Sequence, residues 1–174
     1  RTAVDSLDEL PLADMEIYRR YRFVRQQSTL SFCTGRGVME NTHAGFRIGL
    51  KELMRRFQPA RRHSAQEAIQ RLHLHSKRRS VHRRIAFRDD SLLMDGELSP
   101  WLEELMDRYR REIGLPFSCT ARPDQLDEAV ISLLAESGCD LVRLGIESGD
   151  EALRESVTGV AIPDSRVREA VRTL

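Results

Sequence analysis

The residues whose types and spacing could do chemistry fall in four short polar clusters: TGRG at Thr34 to Gly37, RDD at Arg88 to Asp90, RPD at Arg122 to Asp124, and ESGD at Glu147 to Asp150. Their equipment is that of polar-ligand binding. Paired carboxylates at Asp89 and Asp90 accept hydrogen bonds or face a cation, and Arg122 can grip a carboxylate through two parallel N–H bonds. Glu147 ends an apolar run between Gly145 and Gly149, where a buried carboxylate needs a partner, and Ser148 follows it. Each cluster also has a plainer reading. Asp89 and Asp90 suit a turn with a helix-capping aspartate, and Arg122 suits a salt bridge to Asp124. TGRG opens a glycine-flexed loop without an obvious reactive group. His43 in that loop reads as exposed, and His73 and His75 lie two apart on a helix, which turns their rings away from each other and argues against a metal pair. Cys33, Cys119 and Cys139 make no CxxC pair and read as reduced, mostly buried thiols.

The elements that must position these clusters follow from periodicity and punctuation. Residues 1–28 form a polar approach segment with a short helix through Tyr18, Tyr21 and Val24. Residues 29–174 then alternate strand and helix. Strand one is predicted at 29–34. Ser64 and Glu67 form a capping box opening a helix through Ala68, Ile69 and Leu72. Strand two is Arg84 to Phe87. Ser99 with Pro100 starts a helix that buries Leu102, Leu105, Met106 and Tyr109 and stops at Gly114. Strand three is Phe117 to Thr120, Asp124 is expected to cap the third helix, and Gly138 stands where a left-handed residue is wanted. Strand four is Asp140 to Ile146, and a last helix runs from near Pro163 to Leu174. Serial strand–helix units imply parallel strands with right-handed crossovers, as a doubly wound sheet or a (β/α) barrel. In either architecture function sits at the carboxyl ends of the strands, where all four clusters lie.

Composition agrees with one globular domain: 174 residues, 40 % of them apolar, suffice for a single core. No apolar run approaches the roughly 20 residues of a membrane span, and no signal-peptide pattern is present, so the expected location is cytoplasmic. Arg1 in place of Met suggests a processed product or an excerpt. The stretch from Arg47 to Arg84, with Arg55, Arg56, Arg61, Arg62, Lys77, Arg78, Arg79 and Arg83, is strongly basic. It has almost no aromatic residues to stack bases, which favours a solvated face or a seat for another domain over nucleic acid.

TGRG, FRDD, TARPD and above all LGIESG followed by an E-x-L-R helix start resemble the radical S-adenosylmethionine (radical SAM) superfamily, in particular its branch with an upstream cobalamin-binding domain. The resemblance runs from about Pro11 to the end. It implies an α/β fold, the first four β/α units of a parallel partial TIM-type barrel, with a [4Fe-4S] cluster in the loop after strand one and SAM across the strand ends. It also implies reductive cleavage of SAM and cobalamin-linked methyl transfer or carbon-skeleton chemistry. By this likeness Asp89 and Asp90 would meet the SAM amino group, Arg122 its carboxylate, and Glu147 and Ser148 its ribose and amino end. The cluster itself needs three thiolates spaced C-x3-C-x2-C. Here Val38, Thr42 and Gly45 stand at those positions, or else the cysteines have been lost by deletion; both alignments remain open. The chain as written is expected not to assemble the cluster. Its reading is a fragment of a cobalamin-type radical SAM protein, with a non-catalytic barrel for SAM or partner binding as the alternative. The remaining barrel strands would lie in a longer parent, and the isolated chain is expected to self-associate.

Overall fold

The computed structural model describes residues 4–18, 20–37, 60–77, 81–93, 98–158 and 161–174. Six strands and six α-helices occur among them: α1 (Arg22–Gln26), β1 (Thr29–Phe32), β2 (Gly35–Arg36), β3 (Arg61–Arg62), α2 (Ala65–Lys77), β4 (Arg84–Phe87), α3 (Pro100–Glu112), β5 (Phe117–Ala121), α4 (Glu128–Glu136), β6 (Cys139–Leu144), α5 (Glu151–Thr158) and α6 (Asp164–Thr173). Strands β1, β4, β5 and β6 form one parallel sheet in that order, so each β/α unit adds its strand beside the last. This is the partial (β/α) arrangement expected from the alternation. None of these helices is long and apolar enough to cross a membrane.

Alternation along the strands sends Leu30, Phe32, Ile85, Phe87, Phe117 and Cys119 to the side where the helices pack. Ile85, Phe87, Phe117, Leu105 and Met106 are essentially closed to solvent, each large one contributing about 1.5–3 kcal/mol. Phe117 is central: its ring stands edge-on to Phe87 at 5.4 Å and to Tyr109 at 4.9 Å. The Tyr109 hydroxyl, carried into this core, donates to Leu115 O at 2.7 Å. Helix α3 begins as its residues require, with Ser99 Oγ accepting from Leu102 N and Pro100 in the first turn. Ser64 caps α2 through Glu67 N at 3.2 Å.

Several boundaries differ from expectation. Strand one ends at Phe32, and Gly35–Arg36 instead pair antiparallel with Arg61–Arg62, a short ribbon at the two ends of segment 38–59. Asp124 does not cap the third helix. Its carboxylate is engaged by Arg122, residues Pro123–Gln125 make a 3-10 turn, and Asp127 caps α4 by accepting from Val130 N at 2.8 Å. Strand four starts at Cys139 and stops at Leu144. Gly138, at φ +92°, takes the left-handed position foreseen for it. Of the thiols, Cys119 is buried and Cys139 half-buried, but Cys33 is exposed.

The β5–β6 ladder contains a bulge. Phe117 lies opposite Cys139 and Ser118 opposite Leu141, which leaves Asp140 as the extra residue. Beyond it, Cys119, Thr120 and Ala121 face Val142, Arg143 and Leu144. Cys139, Val142 and Leu144 are accordingly half-buried on the helix side, while Asp140, Leu141 and Arg143 are exposed.

Candidate functional site at the strand ends

Three of the four clusters meet at the carboxyl ends of β4, β5 and β6. Arg88, Asp89, Asp90, Thr120, Ala121, Arg122, Gly145 and Glu147 line an open cleft of about 330 Å³ there. Asp89, Asp90, Arg122 and Glu147 are thus brought together from three separate loops. Ser148 is not among the lining residues; its hydroxyl accepts from Asp150 N at 3.1 Å.

Asp89 faces the end of β1. Its carboxylate accepts from Thr34 N (2.9 Å), Thr34 Oγ1 (3.0 Å) and Gly35 N (2.9 Å), and the residue is buried. Burial pushes its carboxyl above the usual carboxylate range, while the donors of Thr34 and Gly35 pull it down. Asp89 therefore braces the point where the chain leaves β1. A second, smaller hollow of about 110 Å³ beside it is lined by Cys33, Gly35, Arg36, Gly37, Ala60, Arg88, Asp89, Asp90 and Ser91.

Arg122 is held by Asp124, with Nε 2.9 Å from Oδ1, as the plainer reading foresaw. The turn beneath it depends on Gln125, which sequence reading missed. This buried side chain accepts from Arg122 N (3.0 Å) and Ser91 Oγ (2.7 Å) and donates to Leu93 O (2.8 Å), tying the segment after β4 to the turn after β5. Its only signal was an amide directly after a strand-end R-P-D.

Glu147 differs from expectation in burial: it is exposed rather than closed in a buried strand end. It also holds φ +63°, a left-handed conformation that costs a residue other than glycine roughly 1–2 kcal/mol. Ser148 N donates to Ile146 O at 2.7 Å around it. A Cβ at Gly145 would lie 3.8 Å from Glu147 Oε1, an ordinary contact, so the carboxylate does not depend on a glycine there. The turn is clamped by Arg154, 2 % exposed, the arginine of the E-x-L-R helix start, to which the sequence reading gave no role of its own. Arg154 donates to Ser148 O (2.8 Å), twice to Ile162 O (2.9 and 2.7 Å) and to Asp164 Oδ1 (2.7 Å).

The thiols do not gather. Cys119 and Cys139 lie 3.9 Å apart on the helix side of the sheet, whereas Cys33 stands beyond the end of β1. The contact with Cys139 and then burial hold the Cys119 thiol high, and the same contact makes Cys139 the more acidic of the two. Among the described residues no three His, Cys, Asp or Glu side chains converge as a metal site. Val38, Thr42, Gly45 and His43 lie outside the described residues, and no thiol occurs anywhere between Cys33 and Cys119. The donors present therefore do not fit a three-thiolate iron–sulfur cluster. His73 Nδ1 lies 3.3 Å from Glu112 O. Among the described arginines of the basic stretch, Arg61 engages Val4 O, Arg62 lies over the Trp101 ring at 3.9 Å, Arg71 pairs with Glu67 and Arg84 with Asp140, whereas Arg83 is exposed.

No known family profile and no curated protein matches the chain. Solved structures do. The cobalamin-dependent S-adenosylmethionine radical enzyme OxsB, with aqua-cobalamin and S-adenosylmethionine bound, superposes with a TM-score of 0.69 at 18 % identity over 97 % of this chain and 25 % of its own. The radical S-adenosylmethionine methyltransferase TsrM from Kitasatospora setae, with tryptophan and a SAM analogue, gives 0.65 at 14 % identity over 87 % of this chain and 29 % of its own. Methylornithine synthase gives 0.54 at 17 % identity over 91 % and 46 %. The fold is therefore radical-SAM-like, a parallel partial barrel of the TIM type. The chain spans less than half the length of each of these proteins.

Proposed function

We propose that this chain is a radical-SAM-like barrel segment that binds SAM at its strand ends and does not itself assemble a [4Fe-4S] cluster. The observation that supports it is the convergence of Asp90, Arg122 and Glu147 on one cleft of a radical-SAM-like fold. In this reading Glu147 accepts from the ribose hydroxyls, Asp90 meets the ammonium, and Arg122 shares its guanidinium between Asp124 and the ligand carboxylate. Asp89 positions the β1 end and does not touch the ligand, because its oxygens already serve Thr34 and Gly35. Ser148 contributes through its carbonyl, which anchors the turn to Arg154. Bound SAM would bring a sulfonium-activated adenosyl group; its reductive cleavage would need an electron from an iron–sulfur cluster, and the thiolates that would hold one are absent between Cys33 and Cys119.

The second reading is catalytic. In a longer parent with an upstream cobalamin-binding domain, three cysteines restored between Gly37 and Gly45 would make this the radical SAM domain of a methyl-transferring enzyme in the cytoplasm. The likeness to OxsB and TsrM favours that ancestry.

Calorimetric titration with SAM and S-adenosylhomocysteine tests the binding. Weak binding, lost at least tenfold in Glu147→Ala, is expected; affinity unaffected by that change places the pocket elsewhere. Anaerobic reconstitution with iron and sulfide should give no stoichiometric cluster absorbance. A stable cluster that cleaves SAM overturns the non-catalytic reading.

A further inference from the structure

A further cavity lies between the approach segment, the outer edge of β1 and helix α2. It measures about 290 Å³ and shares no lining residue with the strand-end cleft. Cys33, Gly35 and Arg36 stand between it and the smaller hollow beside Asp89. Leu10 and Pro11 of the approach segment and Leu30 and Phe32 of β1 supply apolar walls. Pro11, Ala13, Ser31 and Arg36 are exposed, so the cavity opens to solvent.

Its polar lining is one-sided. Arg36, His63, Arg71 and His75 line it, and no carboxylate does. Two of them are balanced from behind: His63 Nδ1 lies 2.9 Å from Asp8 Oδ1, and Arg71 Nε donates to Glu67 Oε1 at 2.7 Å. Arg36 has no acidic partner among the described residues. With the histidines neutral, the charge left over is this one guanidinium, which complements a monoanion better than a phosphate dianion.

His63 and Arg71 are 8 % and 9 % exposed, yet each keeps a polar atom uncommitted. A carboxylate only accepts, so His63 Nδ1 carries the proton toward Asp8 and Nε2 is left as an acceptor. Arg71 commits Nε to Glu67 and Nη2 to Leu10 O, which leaves Nη1. Neither leftover atom is sealed in the interior, so both are reachable from the cavity that these residues line. The strand edge adds backbone donors. Arg83 N and Arg88 N donate to Ser28 O and Phe32 O, so the even-numbered residues of β1 bond toward β4. Ser31 and Cys33 therefore turn their N–H groups to the outer edge, where no strand of the sheet lies.

We infer that this cavity binds a small monocarboxylate that has an apolar body and carries a hydroxyl. The carboxylate meets Arg36, Arg71 Nη1 and the edge N–H groups, the body lies against Leu10, Pro11, Leu30 and Phe32, and the hydroxyl donates to His63 Nε2. The site is independent of SAM binding.

The test titrates the whole chain with para-hydroxyphenylacetate, its uncharged carboxamide and phenylacetate, in wild type, Arg36→Gln and a control, Arg108→Gln, whose native partner is Glu104 on α3. Arg36 is exposed and pairs with Arg61 through its backbone, so glutamine there leaves the fold intact. Binding of para-hydroxyphenylacetate at millimolar concentration or below is expected. It should be about tenfold weaker for the carboxamide and in Arg36→Gln, where a bond to a charged group is lost, and about fivefold weaker for phenylacetate. No binding at millimolar concentration, equal affinity for either analogue, or equal weakening in the control overturns the inference. Backbone shift mapping on wild type needs no variant: the largest shifts belong at Leu30 to Cys33 and at His63, and shifts centred on Gly145 to Ser148 refute it. SAM affinity, read on the same samples, should be unchanged in Arg36→Gln; a parallel loss would merge the cavity with the SAM site and overturn its independence.

Discussion

Replacing Arg154 by methionine isolates the clamp on the Glu147 turn. Methionine keeps much of the side-chain volume but none of the donors, so Ile162 O loses two hydrogen bonds, Ser148 O one, and Asp164 the nearer of its two arginine partners, Arg168 remaining at 3.4 Å. A hydrogen bond to a charged group contributes about 1.5–3 kcal/mol, and the terms do not simply add. Asp164, 40 % exposed, can turn to water, but the stranded carbonyls of Ile162 and Ser148 cost about 1–3 kcal/mol each, so about 3–5 kcal/mol in all is the range expected here. For a chain of this size each kcal/mol moves Tm by roughly 2–4 °C, so thermal unfolding by circular dichroism should shift down by about 6–20 °C. A second readout is local. The hydrogen bond from Arg154 holds the Asp164 carboxyl below the usual carboxylate range, and in the variant it should move up, as NMR titration would record. Arg154→Lys should recover less than half the stability, because one ammonium cannot span three acceptors. A variant with Tm within about 2 °C of wild type and an unmoved Asp164 would show that the turn does not depend on the clamp.

Other expectations are as concrete. Burial pushes the Tyr109 hydroxyl well above the ordinary tyrosine range, so absorbance titration of the native protein at pH 11 should fall one tyrosine short of the unfolded protein. Because the folded value is the higher, this group's stabilisation is complete below its unfolded value of about 10 and is lost as pH rises toward the folded one. Asp89→Ala strands the donors of buried Thr34 and of Gly35 and should cost about 2–4 kcal/mol in urea unfolding; a loss below ~1 kcal/mol would contradict the brace. Strand β6 ends the sheet and Leu141 is 44 % exposed, so sedimentation at micromolar concentration should detect self-association that Leu141→Lys reduces. A monomer in both would remove the edge as an interface.

The parallel sheet and its helices were legible because each announces itself locally. Ser99-Pro100 and Ser64-x-x-Glu67 mark helix starts by satisfying exposed N–H groups, and RIAF and FSCTA are apolar between turn signals. The convergence of Asp89, Asp90, Arg122 and Glu147 followed from the rule that sites lie at strand ends. What stayed hidden is set by partners far away in sequence. The β2–β3 ribbon exists because Gly35–Arg36 and Arg61–Arg62 are neighbours in space, and two-residue strands carry no period. Asp124 and Asp127 are equally good caps on paper; Arg122 decides between them by occupying the first. Arg154 looks like any helix-surface arginine until α6 closes over it.

The bulge at Asp140 determines which of two readings of strand β6 is realised. In an unbroken ladder Ser118 would sit opposite Asp140, and every later residue would turn over. Arg143 would then point at the aromatic core beside Ala121, while Val142 and Leu144 met solvent. That misregistered strand would bury an unpaired guanidinium and, with Leu141 turning in as Val142 and Leu144 turn out, wet one more aliphatic side chain than it covers, so it is a poor competitor by several kcal/mol. Arg143 thus acts as a register guard during folding, on a strand with a single neighbour to align it. Replacing it with a leucine would remove the penalty for slipping one step.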